Sequence, residues 1–305
     1  MLTVIENESG VEKMLARKMS SAARGGMRTL MILMALTLFN APSYGLDRVR
    51  EDNEKFIFGK LITFDYRGKD AAVIVPKKAV DKARRWVWFS PGTLAFAGKQ
   101  VQCTWYVEML LASGFHVTGF DLGPATITAA SPAGAKVHYE FYQLVTKEFN
   151  LNKKARLVGQ SNGGLNQYGW AFRHPECVDR ILGMLAVTDF RTWPGMDSLV
   201  STIAGSYTYS GLEYNMSLVE LLEHIKELNP IDNLAPLAKA GVKLYHLHGS
   251  NDGTVPPQAN TLELERRYRA LGGEITIEIG DGMGHGTPHP FYNENQRALR
   301  FLIAD

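Results

Sequence analysis

The run Gly159-Gln160-Ser161-Asn162-Gly163 sits between a strand-like segment, "ARLV", and a helix-like one, "GLNQYGWAF". A strand that turns sharply into a helix leaves the residue at its tip in a strained backbone state, with its side chain exposed. Side chains two residues before and two after would collide at such a corner, so glycine belongs at both places. A serine hydroxyl held there is a nucleophile, provided a base stands ready to take its proton. His285, in "EIGDGMGHGTPH", offers that base in a glycine-bordered loop after an apolar strand. Imidazole titrates at about 6.5, so it accepts and returns a proton close to neutral pH. Asp252, in "LYHLHGSNDGTVPP", follows another apolar strand and offers a carboxylate to orient the ring and balance its charge. A hydroxyl, an imidazole and a carboxylate could together supply a nucleophile, its base and the group that orients the base.

Two of the three have rivals. His289 lies shortly after His285, and Asp189, in "AVTDFRTWPG", closes the strand that follows the serine's helix. The "NDG" around Asp252 is also good turn chemistry, which the same aspartate can satisfy. His246 and His248 alternate along one strand and share a face, the pattern of packed or hydrogen-bonded histidines more than of metal ligands. Neither cysteine, Cys103 or Cys177, stands in a metal-binding spacing, and free thiols are expected. Asp121, in "GFDLGP", reads as a loop cap. Trp193, Tyr207, Tyr209 and Tyr214 fall in one stretch and are candidates to stack on a substrate ring.

These residues are far apart in sequence, so a scaffold must bring them together. From Phe56 to Val75, "FIFGKLITFDYRGKDAAVIV" reads as a hairpin turning at "RGKD". Beyond it strand-like and helix-like segments alternate. The strand runs are "WVWFSPG", "FHVTGFDL", "ARLVGQ", "VDRILGMLAV", "VKLYHLHG" and "EITIEIG". Helical spacing marks "VQCTWYVEMLLASG", "AKVHYEFYQLVTKEFNL", "TLELERRYRALGG" and "NENQRALRFLIAD". This order predicts an α/β fold, a mostly parallel sheet with an antiparallel N-terminal hairpin and helices on both faces. Ligands in such sheets bind at the carboxyl ends of the strands, where the glycine-rich corners fall. About 50 residues between Asp189 and Val242 exceed what a plain crossover needs, so a helical lid inserted at about 190–230 is expected.

Composition bounds the function. The 305 residues carry 33 basic and 31 acidic side chains, a net charge of +2, with 45% hydrophobic residues. No charge run points to nucleic acid or an anionic membrane. Arg24 and Arg28, the apolar "LMILMALTLF" and the small Ser43 and Gly45 together form a secretory signal. The apolar run is shorter than the roughly 20 residues a membrane span needs. Residues 1–45 are therefore expected to be an N-terminal extension and signal peptide, cleaved near Gly45, and 46–305 one exported domain, periplasmic or extracellular, without a stable membrane span.

With the order Ser161, Asp252, His285 and each member after the expected strand, the sequence resembles the α/β-hydrolase superfamily over roughly Phe56 to Asp305. Its general shape is similar to secreted bacterial esterases of the dienelactone-hydrolase or prolyl-oligopeptidase-like type. The resemblance implies an eight-stranded core and acyl transfer without metal or organic cofactor. It places the commoner acid at Asp252, and oxyanion donors at the backbone N–H of Asn162 and in the loop "SPGTLAFAG". There Pro91-Gly92-Thr93 matches a His-Gly-x pattern, making Thr93 the second donor, with Leu94 as the alternative. The implied activity is a serine carboxylesterase acting on a small-molecule or polysaccharide-linked ester. The alternatives are a peptidase or amidase with the same residues, and a non-catalytic binding protein on the same scaffold. Oligomeric state is not readable from these patterns.

Overall fold

The strand-like runs form one twisted sheet: β1 (Asp47–Asp52), β2 (Gly59–Tyr66), β3 (Lys69–Pro76), β4 (Trp86–Ser90), β5 (His116–Phe120), β6 (Ala155–Gln160), β7 (Val178–Met184), β8 (Lys243–Gly249) and β9 (Ile275–Gly280). Their order is β1-β2-β3-β5-β4-β6-β7-β8-β9. The pairs from β1 through β3 to β5 are antiparallel, and the rest are parallel. The computed structural model describes residues 46–92, 104–120, 130–195, 218–286 and 289–305. The expected export segment, Thr93, Leu94, Cys103, Asp121, Tyr207, Tyr209 and Tyr214 lie outside the described residues, as does most of the expected lid.

The helices are α1 (Thr104–Ala112), α2 (Pro132–Glu148), α3 (Gly163–Ala171), α4 (Leu218–Glu223), α5 (Ile225–Leu228), α6 (Ala235–Lys239), α7 (Thr261–Ala270), α8 (Pro290–Asn293) and α9 (Gln296–Ile303). Strands covered on both faces must be apolar from end to end, and every residue of β4 and β5 is buried. Successive side chains of β4 point to opposite faces. Val87 and Phe89 join Tyr106, Leu110, Leu299 and Leu302 in the core beneath α1 and α9. Trp88 faces the other way, its ring 5.1 Å from Phe141 of α2 and 5.2 Å from Trp170 of α3. Large aromatic rings each remove about 150–250 Å² from water, so this half of the core holds α3 firmly against the sheet.

The chain runs from β4 outward to β5, then returns past β4 to β6 on its other side. The crevice above the carboxyl ends of β4 and β6 is the switch point where such sheets take ligands. Three details depart from the sequence pattern. The ninth strand, β1, is one: its six residues, Asp-Arg-Val-Arg-Glu-Asp, are all exposed and have no apolar face to betray a strand. It is an edge strand held by its ladder to β2 and by ion pairs such as Lys60–Glu51 at 2.8 Å. Secondly, α2 begins at Pro132, not near Ala135. Ser131 caps it by accepting from the Gly134 N–H, and a proline at the first position costs no hydrogen bond. Thirdly, at the end of the stretch expected to form a helical lid, His224 separates two short helices, α4 and α5. Among the described residues no helix is long and apolar enough to cross a membrane.

Candidate active site

Ser161 occupies the corner between β6 and α3 with φ at +53°, in the left-handed region that a non-glycine residue enters at a cost of about 1–2 kcal/mol. Neighbouring backbone holds it there. Its N–H donates to Met184 O at 3.1 Å, and its carbonyl accepts from Val187 N at 2.8 Å and Gly164 N at 3.0 Å. The glycines are steric requirements. A Cβ at Gly159 would stand 3.0 Å from the Gly163 carbonyl oxygen, and one at Gly163 would overlap the Ser90 carbonyl at the end of β4. Gly163→Ala is therefore expected to cost at least the ~1–3 kcal/mol typical of overpacking. Thermal unfolding will read it as a lowered Tm.

From this corner the Ser161 Oγ lies 2.9 Å from His285 Nε2. His285 sits in the loop after β9, partly exposed, and its Nδ1 lies 2.8 Å from Asp252 Oδ2. A proton on Nδ1, donated to the carboxylate, leaves Nε2 free to accept from the serine hydroxyl. Asp252 is 3% exposed, in the loop after β8. Its Oδ1 accepts from Thr254 N at 3.0 Å and Val255 N at 2.8 Å, and its Oδ2 also lies 3.3 Å from His248 Nε2. Burial works to raise the pKa of this carboxyl. The hydrogen bonds from His248, the Val255 amide and His285 outweigh burial and hold it at about 2.

No family model and no curated protein matches the chain. Solved structures do resemble it. A dipeptidyl peptidase 4 from Porphyromonas gingivalis superposes with a TM-score of 0.56 over 85% of this chain and 36% of its own, at 15% identity. An S-formylglutathione hydrolase from Agrobacterium tumefaciens gives 0.57 over 84% and 95%, at 13% identity. A cold-adapted esterase from an Arctic intertidal metagenomic library gives 0.54 over 85% and 98%, at 12% identity. The chain has the α/β-hydrolase fold. It spans about a third of the peptidase and nearly the whole of the other two.

Within this α/β-hydrolase sheet the rival residues are otherwise engaged. Asp189 is held by Arg191, with Nε to Oδ1 at 2.8 Å and Nη2 to Oδ2 at 2.9 Å, and by Asn229 Nδ2 at 2.8 Å. His289 is exposed and caps α8, its Nδ1 accepting from Phe291 N at 3.1 Å. His246 and His248 are both fully buried and both reach Thr261 Oγ1. Burial, then the neighbouring His248, pushes the His246 pKa down to about 3.

Of the expected oxyanion donors, the Asn162 N–H has no acceptor among the described residues and stands next to the serine. Thr93 and its alternative Leu94 lie outside them. Trp193 is partly buried and packs on a small core of Leu165, Val187, Phe190, Leu228 and Val255. Tyr207, Tyr209 and Tyr214, the other three candidates to stack on a substrate ring, lie outside the described residues. Cys177 is a buried free thiol. His248, expected as a packed or hydrogen-bonded strand histidine, is hydrogen-bonded, and one of its partners is Asp252. The signal was present in His248-Gly249-Ser250-Asn251-Asp252: a histidine closing a strand, with the acid at the far end of the turn.

Proposed function

We propose that this chain is a serine hydrolase that cleaves carboxylic esters through an acyl-enzyme. The reading is carried by one observation: Ser161 Oγ, His285 and Asp252 are linked by hydrogen bonds of 2.9 and 2.8 Å above the switch point of the sheet. His285 Nε2 takes the hydroxyl proton as Oγ attacks the ester carbonyl, and the protonated ring then delivers that proton to the leaving alcohol. Asp252 keeps the Nδ1–H tautomer and balances the imidazolium charge. The backbone N–H of Asn162, joined by that of Thr93, holds the oxyanion, a place where one donor is typically worth on the order of a hundred- to a thousandfold in rate. Water, deprotonated by His285, then releases the acid.

An end-to-end likeness to an esterase and to an S-formylglutathione hydrolase, against a likeness to only a third of a dipeptidyl peptidase, supports esters over peptides as substrates. A fluorophosphonate probe is expected to label Ser161. The labelled enzyme should lose hydrolysis of a p-nitrophenyl ester series graded in acyl length, which the free enzyme turns over faster than the matching anilides. Faster anilide cleavage would replace the ester reading with an amidase or peptidase. Failure of the probe to react would leave a binding protein on a hydrolase scaffold.

A further inference from the structure

The hydrogen bonds do not stop at Asp252. His248 Nε2 lies 3.3 Å from Asp252 Oδ2 and 2.9 Å from the Val255 carbonyl oxygen. Its Nδ1 lies 2.7 Å from Thr261 Oγ1, the first residue of α7. The same hydroxyl is 3.0 Å from His246 Nδ1, and His246 Nε2 is 2.8 Å from the hydroxyl of Tyr168, on the helix that carries the serine corner. Tyr168, His246, His248 and Thr261 are wholly shut off from solvent. The His246 ring fits because β7 carries glycine beside it; a Cβ at Gly183 would come within 2.5 Å of its ring atoms.

Proton counting fixes the direction of this chain. A carbonyl and a carboxylate only accept, so His248 Nε2 carries a proton. With the ring neutral, Nδ1 accepts, and Thr261 must donate to it. The threonine has one proton, so it must accept from His246 Nδ1–H. His246 Nε2 is then an acceptor, and Tyr168 donates to it. Among the described residues Tyr168 Oη has no other partner. Reversing the series would charge His248 and leave the buried tyrosine O–H without an acceptor, a costly vacancy. With neutral rings, one assignment alone satisfies every donor and acceptor in the series.

We propose that Tyr168, His246, Thr261 and His248 form a relay of positioning residues, in which the Tyr168 and Thr261 hydroxyls fix the histidine tautomers so that His248 gives the Asp252 carboxylate its second imidazole N–H. That bond holds the carboxylate in the rotamer facing His285, and the relay ties the acid loop to α3, the helix that follows the nucleophile. The inference rests on the reading of Ser161, His285 and Asp252 as the reacting groups. All four relay residues are shut off from solvent, so they act through Asp252 rather than on a substrate directly.

The test begins on the unsubstituted protein. Nitrogen-15 histidine NMR at neutral pH is expected to show His246 as the Nδ1–H tautomer and His248 as the Nε2–H tautomer, both neutral. Thr261→Val keeps the shape and removes the hydroxyl. It should mix the His248 tautomers and lower kcat on a p-nitrophenyl ester by on the order of tenfold to a hundredfold, the scale of a misplaced catalytic group, with KM little changed. Thr261→Ser should restore both readouts. Tyr168→Phe should disturb His246 and lower kcat in the same direction. A cationic or Nδ1–H His248 in the unsubstituted protein overturns the relay, and so does a Thr261→Val enzyme with undiminished kcat. The tautomers are read without turnover, which separates the two claims. Wrong tautomers beside a reactive Ser161 overturn the relay alone. Correct tautomers in a protein whose Ser161 never reacts overturn the acyl-transfer reading, and the positioning role with it.

Discussion

Ser161→Ala is expected to lower kcat on a p-nitrophenyl ester by roughly 10⁶-fold, the loss typical when the nucleophile of such a triad is removed. The fold should survive. Alanine has a Cβ like serine, so it meets the same left-handed backbone at φ +53° and makes the same main-chain bonds to Met184, Val187 and Gly164. What disappears is the 2.9 Å bond to His285 Nε2 and the oxygen that attacks. Residual hydrolysis, if oxyanion donors and binding remain, should still exceed the uncatalysed rate by about 10³–10⁴. Ser161→Gly sharpens the point. Glycine enters this backbone region without the ~1–2 kcal/mol penalty of other residues, so the variant should be as inactive as alanine with a Tm at or above the parent's. Strain retained at a residue that chemistry needs, and relieved by abolishing the chemistry, is the signature of a functional corner. Turnover of Ser161→Ala within a few-fold of the parent would overturn the proposed function.

The serine corner was legible in the sequence because its constraints are local. The backbone that needs glycine at Gly159 and Gly163 is set within five residues, and flanking apolar and helical runs supply the context. The parallel sheet was legible for a related reason, since strands such as "WVWFS" are apolar throughout only when both faces are covered. Strand β1 was not, because a charged edge strand is held by backbone bonds to β2 and carries no periodic pattern. Asp252 and Asp189 could not be separated by spacing alone. Each follows a strand, and the difference lies in what surrounds it: Arg191 and Asn229 against Asp189, His285 and His248 against Asp252. The relay behind the acid was invisible for the same reason. Tyr168, His246 and Thr261 are scattered over almost a hundred residues and become neighbours only once β8, α3 and α7 are packed together.

That difference in surroundings gives the second large expected effect. Asp252→Asn should lower kcat by about 10⁴-fold, the cost of holding the base in the wrong tautomer, with little change in KM. An amide cannot take the place of this carboxylate in either orientation. With its oxygen turned to the Thr254 and Val255 N–H groups, its NH₂ faces His285 Nδ1 and His248 Nε2. The His285 proton is then driven to Nε2, where it points at the serine oxygen and blocks the transfer. With the amide flipped, its NH₂ faces two backbone donors instead, and buried N–H groups are left without acceptors. The native carboxyl, held at about 2, is ionised at every ordinary assay pH, so the deficit should persist across the neutral and alkaline range. Asp189→Asn should do the opposite. It weakens the paired bonds to Arg191 and the tie to Asn229, so the Tm falls while kcat stays within a few-fold of the parent. A collapse of kcat in Asp189→Asn with activity retained in Asp252→Asn would mean that the acid acting on His285 comes from the end of β7, and that the carboxylate beside His248 serves the turn alone.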